Sequence, residues 1–321
     1  MKVLVTGCAG FIGFHVCENL LNKKFKIIGI DNINEYYDVN LKKLRINILR
    51  KHKKFMFEKF DLLNFQKLNN IIKKNKVKYI IHLAAQAGVR YSIENPKTYF
   101  QNNLEVFFNI IEASKKNKIK HLIFASTSSV YGENNKFPLS EKDNTDNPIS
   151  FYAATKKSNE IMAYSYSYIY KLPCTGLRFF TVYGPYGRPD MALFKFTENI
   201  LENKKIELYN NGNHSRDFTF VLDIVQGIIS IIKKPSKNKV PYNIFNIGKG
   251  KSNKLKDYVK KIENKLNKKA KIKKLPLQLG DIKKTHSDIV SLNNYSNYVP
   301  KTDIEDGVSA FIDWYLDYKK K

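Results

Sequence analysis

The chain has 321 residues, 43% of them hydrophobic and 13% aromatic, enough for one large core or a core with an appended lobe and too long for a disulfide-stapled miniprotein. No apolar run approaches the roughly 18 residues of a membrane helix. The three cysteines, Cys8, Cys17 and Cys174, are odd in number and lack metal-ligand spacing, which predicts a soluble protein of a reducing, cytoplasmic compartment. The opening MKVLVTGCAGFIG puts a charge before apolar residues, but its glycines break the run and it does not read as a signal peptide. Lys2–Thr6 reads as a strand, Phe14–Asn22 as a helix, Lys26–Ile30 as a second strand and Lys54–Phe60 as a third. Tyr79–Leu83 and His121–Ala125 are further buried strands, preceded by helical periods over Phe65–Lys74 and Leu104–Lys115. Repeated βα units at this pitch predict an α/β fold with a doubly wound, mainly parallel Rossmann sheet. Beyond residue 150 come a helix around Tyr152–Tyr170, a strand Thr175–Phe180, the turn-rich YGPYGRPD and a strand Tyr242–Ile247 that rejoins the sheet. The expected division is a dinucleotide-binding domain over 1–182, rejoined by about 217–248, and a smaller lobe from 183–216 and 249–321.

The charge is lopsided, with 56 Lys and Arg against 29 Asp and Glu and a net +27. Such a surplus suits nucleic acid or an anionic membrane. The lysines, however, are spread along the chain in pairs such as Lys23-Lys24 and Lys233-Lys234. The densest stretch, Lys249 to Lys274, carries Leu255, Tyr258, Val259, Ile262 and Leu266 at helical spacing, so its lysines belong to the solvated side of an amphipathic helix. Neither nucleic acid nor membrane is an expected partner. Only six basic residues are Arg, and Lys cannot replace Arg where a planar bidentate fork is needed, so the arginines are worth locating. Four of them, Arg90, Arg178, Arg188 and Arg216, fall in the motif segments below. The six histidines form no ligand cluster, and no metal is expected.

The first strand runs directly into Gly7-Cys-Ala-Gly10-Phe11-Ile12-Gly13 and a helix. The first glycine lets the chain turn, the second lets backbone approach a pyrophosphate, and the third allows close helix–strand packing. The helix N-terminus then offers N–H groups and positive dipole to the anion. A Gly-rich turn is often only a turn, but this one sits between strand and helix, where dinucleotides bind. The second strand ends at Asp31-Asn32, eighteen residues after Gly13. A carboxylate there can accept from both adenosine ribose hydroxyls and would repel a 2′-phosphate, which favours NAD over NADP; the alternative is a solvated strand-end Asp. Asp61 and Leu62 could meet the adenine edge, and Leu83, Ala84 and Ala85 end the fourth strand in small residues that let backbone lie against a cofactor.

Tyr152 and Lys156 are four apart, on one helical face. The pair alone is common by chance. It gains weight from the Ser/Thr-rich loop Ala125-Ser-Thr127-Ser128-Ser129-Val-Tyr-Gly132 at the carboxyl end of a predicted strand, where α/β sheets bind ligands.

With TGxxGxxG, HLAA, the loop ending VYG, YxxxK and RDF in order from end to end, the chain resembles the extended short-chain dehydrogenase/reductases, specifically nucleotide-sugar epimerases. DNINEYYDVNLKK, AAQAGVRYSIENP, YAATKKSNE, RFFTVYGPYGRPDMALF and GDIKKTHSD resemble UDP-glucuronate 4-epimerases in particular. The resemblance implies an isomerase that uses NAD as a bound catalyst. Tyr152 would act as general base, with Lys156 lowering its pKa and holding the nicotinamide ribose. Thr127 would bridge substrate and tyrosine, while Asn103 and Phe180 would lie on the cofactor side. It implies a UDP-sugar partner and a homodimer through the helix after YxxxK, with Ala163, Tyr164 and Tyr168 as candidates for that face.

Related dehydratases and decarboxylases carry acidic residues beside the catalytic Thr, where this chain has Ser128 and Ser129, which favours simple epimerisation; the serines could equally be packing hydroxyls. Arg216 matches a diphosphate ligand. Thr181, Ser128 and Ser129, with Arg188 nearby, could hold a C5 carboxylate. Arg90 suits a carboxylate, a phosphate or a structural ion pair, Arg178 reads as structural, and Asp281 is placed near the uridine ribose or an arginine. The expected activity is a 4-epimerase of UDP-glucuronate and UDP-galacturonate, working through a 4-keto intermediate and serving polysaccharide synthesis. The alternatives are the same chemistry on UDP-N-acetylhexosamines or their uronates, a nucleotide-sugar dehydratase, or a non-catalytic NAD-binding protein.

Overall fold

The computed structural model of the chain describes residues 1–320. Its centre is a seven-stranded parallel sheet built from β1 (Lys2–Thr6), β2 (Lys26–Asp31), β3 (Phe55–Lys59), β4 (Tyr79–His82), β5 (His121–Thr127), β6 (Cys174–Phe179) and β10 (Tyr242–Ile247). The order is β10-β6-β5-β4-β1-β2-β3, so the winding reverses between β1 and β4 and leaves a crevice at the carboxyl ends there. Apolar runs such as Val3–Val5 and Leu122–Phe124 are buried because helices cover both faces of a parallel sheet. One face is covered by α1 (Phe11–Asn22), α2 (Val39–Arg50) and α9 (Val221–Ile231) through Phe14, Leu49 and Ile228. The other carries α3 (Phe65–Asn75), α6 (Val106–Lys116) and α7 (Phe151–Tyr170) through Ile72, Phe107 and Ala163. Two four-residue helices, α4 (Tyr91–Glu94) and α5 (Pro96–Tyr99), lead through the π-helical Phe100–Glu105 into α6.

The remaining elements surround a separate aromatic cluster. β7 (Thr181–Tyr183) pairs parallel with β9 (Ser215–Phe220), which pairs antiparallel with β11 (Ser252–Lys254). β8 (Lys205–Leu208) and β12 (Lys271–Lys274) form a two-stranded parallel sheet. With α8 (Ala192–Leu201), α10 (Leu255–Leu266), α11 (Val290–Ser296) and α12 (Ile304–Lys319) they complete the chain. Phe194, Phe218, Tyr258 and Phe311 pack at the centre of the cluster, Phe218 and Tyr258 stacked at 4.2 Å.

Two elements differ from the sequence expectation. The helix in the lysine-rich stretch covers only Leu255–Leu266 and stops at Asn267, whose φ of 50° ends it; Lys271–Lys274 is an exposed strand. Helix α2 has no clear apolar period because Lys42 and Arg45 occupy two of its buried positions beside Leu41, Ile46 and Leu49.

A buried ion pair seats α7 on the sheet. Glu160 accepts from Arg178 Nε at 2.9 Å and Nη2 at 2.8 Å, and from Ser126 Oγ at 2.5 Å. Removing one partner leaves the other charge buried and unpaired. Glu160→Ala is therefore expected to lose about 3–5 kcal/mol in urea unfolding; a loss near that of a surface substitution would contradict this account.

Candidate active site

A cleft of about 1220 Å³ opens at the carboxyl ends of the central strands and continues to the aromatic lobe. Its N-terminal wall is the glycine loop. Gly7 has φ +71°, and a Cβ on Gly13 would stand 2.0 Å from the Gly7 carbonyl oxygen, so only glycine permits this tight crossing. α1 has neither a side-chain cap nor an acid in its first turn, which leaves its leading N–H groups to an anion from the cleft. Asp31 at the end of β2 accepts from Ala9 N at 3.0 Å and Ile33 N at 2.8 Å, one bond to each carboxylate oxygen. Burial raises its pKa, against those bonds and the charges of Lys42 and Arg45. Asn32 donates to Asp61 at 3.0 Å, and Asn109 in α6 fixes the following turn through the Leu62 carbonyl at 3.0 Å.

At the middle of the cleft, Ser150 caps α7 by accepting from Ala153 N at 3.2 Å. The helix presents Tyr152 and Lys156 one turn apart opposite the end of β5. Lys156 is 2% exposed and donates to the Ala125 carbonyl at 3.0 Å. It has no other protein acceptor among the described residues, so two of its three protons remain for a ligand. Burial lowers its pKa from 10.5 to about 8. His82 beneath it is held neutral, down to about 3, by burial and by the Lys156 charge, and shares a 2.8 Å bond with the Thr6 hydroxyl. Burial raises the Tyr152 phenol, while a hydrogen bond with Thr127 and the Arg188 charge pull it back. Thr127 Oγ1 bonds Ser129 Oγ at 3.2 Å.

Gly7, Gly10, Phe11, Ile12, Gly13, Asp31, Asn32, Asp61, Leu62, Leu83, Ala84, Ala85, Thr127, Ser128, Ser129, Tyr152, Lys156, Phe180, Thr181, Arg90, Arg188, Arg216 and Asp281 all line this cleft. Asn103 does not. It is 1% exposed and lies behind the wall, accepting from Gln86 N at 2.8 Å and donating to Gln86 O at 3.0 Å and Thr155 Oγ1 at 3.1 Å. Its amide ties the loop after β4 to the first turn of α7.

In the far part of the cleft Asp281 gathers the cations. It accepts from Arg216 Nη2 at 2.9 Å and stands 3.5 Å from both Arg90 and His214. Arg90 also stacks on Tyr209 at 4.3 Å. Arg188 pairs with Asp190, Nε to Oδ1 at 3.0 Å, and faces Tyr36. Lys42, Tyr36, Gln86, Tyr209 and His214 are lining residues that the sequence reading did not single out. The first two lie in DNINEYYDVNLKK and Gln86 in AAQAGVRYSIENP, two of the segments that carry the family resemblance. Among the described residues no cluster of His, Cys, Asp and Glu is arranged to hold a metal ion.

Comparison with known proteins agrees with this arrangement. Residues 3–248 match the epimerase family model described as the NAD dependent epimerase/dehydratase family. The chain is 49% identical to protein CapI of Staphylococcus aureus, with all of both chains covered. It is 42% identical to a probable UDP-glucuronate 4-epimerase of Rhizobium meliloti, covering 98% of this chain and 97% of that one. The crystal structure of UDP-glucuronic acid 4-epimerase from Bacillus cereus in complex with UDP-glucuronic acid and NAD superposes with a TM-score of 0.93 at 34% identity, over 99% of this chain and 100% of that one.

Between about pH 8 and 10.5 the unfolded chain keeps a proton on Lys156 that the folded protein has released. Stability contributed by this residue therefore rises with pH across that window. Lys156→Met is expected to flatten the rise in urea midpoints measured from neutral to alkaline pH; a rise of the same size in the variant would contradict the assignment.

Proposed function

The chain belongs to the NAD dependent epimerase/dehydratase family, and from that premise we propose that it is a 4-epimerase interconverting UDP-glucuronate and UDP-galacturonate. The observation that carries this reading is the combination in one cleft of Tyr152 and Lys156 with a hydroxyl-lined wall, Thr127, Ser128, Ser129 and Thr181, next to the cation Arg188. Hydroxyls and a guanidinium suit a carboxylate. The Ser pair beside Thr127 brings no carboxyl for expelling water or assisting a second step.

The glycine loop and the N–H groups of α1 would hold the diphosphate of NAD, Asp31 its adenosine ribose, and the free protons of Lys156 its nicotinamide ribose. When bound, NAD supplies the hydride acceptor and donor for C4 of the sugar. Tyr152 takes the proton of the 4-hydroxyl, with Thr127 as its hydrogen-bond partner, and returns it after the 4-keto sugar has turned over. An ordinary phenol ionises near pH 10, so the Lys156 charge is needed to make this base. Arg216 and Arg90 are assigned to the UDP diphosphate, with Asp281 holding them in place, and Arg188 to the C5 carboxylate. The dinucleotide is thus bound by the 1–182 part of the chain with about 217–248, and the UDP-sugar lies between that part, which supplies Arg90 and Thr127 to Ser129, and the part made of 183–216 and 249–321, which supplies Arg188, Arg216 and Asp281.

The outer side of α7 exposes Ile161, Tyr164 and Tyr168, and the neighbouring α6 region exposes Phe100 and Phe108. This apolar surface is proposed as the face of a homodimer. Ala163 is not part of it: it is fully buried against the sheet, since the outward stripe at helical spacing runs 161, 164 and 168. Among the described residues no helix is long and apolar enough to cross a membrane. The three buried free cysteines suit the cytoplasm.

Proton NMR of UDP-glucuronate with the purified protein and no added NAD tests the reading. The UDP-galacturonate anomeric signal is expected to grow, and Tyr152→Phe to slow it by at least about 100-fold. An inert wild-type protein, even with NAD supplied, would overturn the uronate assignment, and turnover of UDP-N-acetylglucosamine instead would replace it.

A further inference from the structure

Arg45, in helix α2, is fully buried and makes no ion pair among the described residues. Burying a guanidinium without a carboxylate partner is costly unless its protons are well bonded. Its partners lie on two separate stretches of chain. Nη1 donates to the Ala9 carbonyl at 2.7 Å, inside the Gly7–Gly13 loop, and to Tyr37 Oη at 2.7 Å. Nη2 donates to the carbonyls of Tyr186 at 2.7 Å and Gly187 at 3.3 Å. The next residue is Arg188. The same turn is pinned once more from α1, where His15 Nε2 meets the Pro185 carbonyl at 2.8 Å. Three consecutive carbonyls before Arg188 are thus tied to the glycine-loop side of the molecule.

We propose that Arg45 is a positioning residue that couples occupancy of the dinucleotide loop to the placement of Arg188. The inference rests on the proposed function, in which Arg188 meets the sugar carboxylate. Asp31, whose carboxylate feels the Arg45 charge, is joined to the same loop through Ala9 N at 3.0 Å. A dinucleotide diphosphate on that loop brings further negative charge to a buried, under-compensated cation. It steadies the fork that holds both carbonyl sets. In the other direction, a carboxylate that fixes Arg188 fixes Tyr186 and Gly187, and through Arg45 the Ala9 carbonyl. A lysine keeps the charge but cannot span both carbonyl sets with a rigid fork.

The test is NAD release from the wild-type protein, followed by chromatography of the freed dinucleotide, with UDP-glucuronate or with UDP-glucose, which lacks the carboxylate. UDP-glucuronate is expected to slow release at least about 5-fold more than UDP-glucose, and Arg188→Ala or Arg45→Lys to erase that difference. In KM for UDP-glucuronate, Arg45→Lys is expected to add nothing to the defect of Arg188→Ala. Equal release with the two sugars in the wild type overturns the coupling, as does an Arg45→Lys protein that keeps the wild-type difference or whose KM defect multiplies with that of Arg188→Ala. If Arg45→Lys does not fold, Arg45→Gln is measured in its place, and a Gln variant that keeps the wild-type difference between the two sugars overturns the coupling. Wild-type turnover of UDP-glucuronate is scored separately, so failure of the coupling is distinct from failure of the substrate assignment.

Discussion

The site depends on one buried positive charge. Lys156 lies in the interior with, among the described residues, a single protein hydrogen bond, to the Ala125 carbonyl, and no carboxylate partner. An ammonium so placed is unfavourable for the empty protein, and burial brings its pKa to about 8. The surroundings are arranged to keep that charge available. His82 stays neutral, and the Glu160–Arg178 pair below α7 consumes its own charges without reaching Lys156. What remains is a cation one helical turn from a phenol, with two protons that no described residue accepts. A carboxylate partner for Lys156 would make the protein easier to fold and would neutralise that charge.

Topology explains why these groups meet. The winding of the sheet reverses between β1 and β4, and the carboxyl ends of β1, β2, β4, β5 and β6 all feed the same crevice. The glycine loop follows β1, Asp31 ends β2, the HLAA segment ends β4, Thr127 ends β5 and Phe180 follows β6. Each side chain is placed by a strand end, and strands bonded to one another cannot shift independently. The aromatic lobe then closes the crevice from the far side with a separate set of cations, held by Asp281 and Asp190.

Much of this was legible in the sequence, and the parts that were not share physical causes. Runs such as VLV and LIF carry their burial openly, and YxxxK and the glycine loop carry their chemistry in spacing. Helix α2 was hidden because Lys42 and Arg45 face inward, which breaks the apolar period that marks a helix. That Asn103 bonds Gln86 and Thr155 behind the cleft wall is a choice between two neighbouring faces that one-dimensional spacing does not encode. Ala163 was misassigned to the outer face of α7 for the same reason, by a rotation of one position. That Arg90, Arg216 and His214 all converge on Asp281 depends on chain segments far apart in sequence, and only the folded lobe reveals it.

Tyr152 is expected to become a usable base only when the buried Lys156 and an oxidised dinucleotide both act on its phenol. Near-ultraviolet difference absorbance follows phenolate formation directly, with Tyr152→Phe as the blank that isolates this one tyrosine. Ionisation is expected above the ordinary value of about 10 in the dinucleotide-free protein, where burial dominates, and with a midpoint clearly below it when NAD is bound. Lys156→Met should abolish the downward displacement. A Tyr152 midpoint that is the same with and without the dinucleotide, or unmoved by the loss of Lys156, would contradict it.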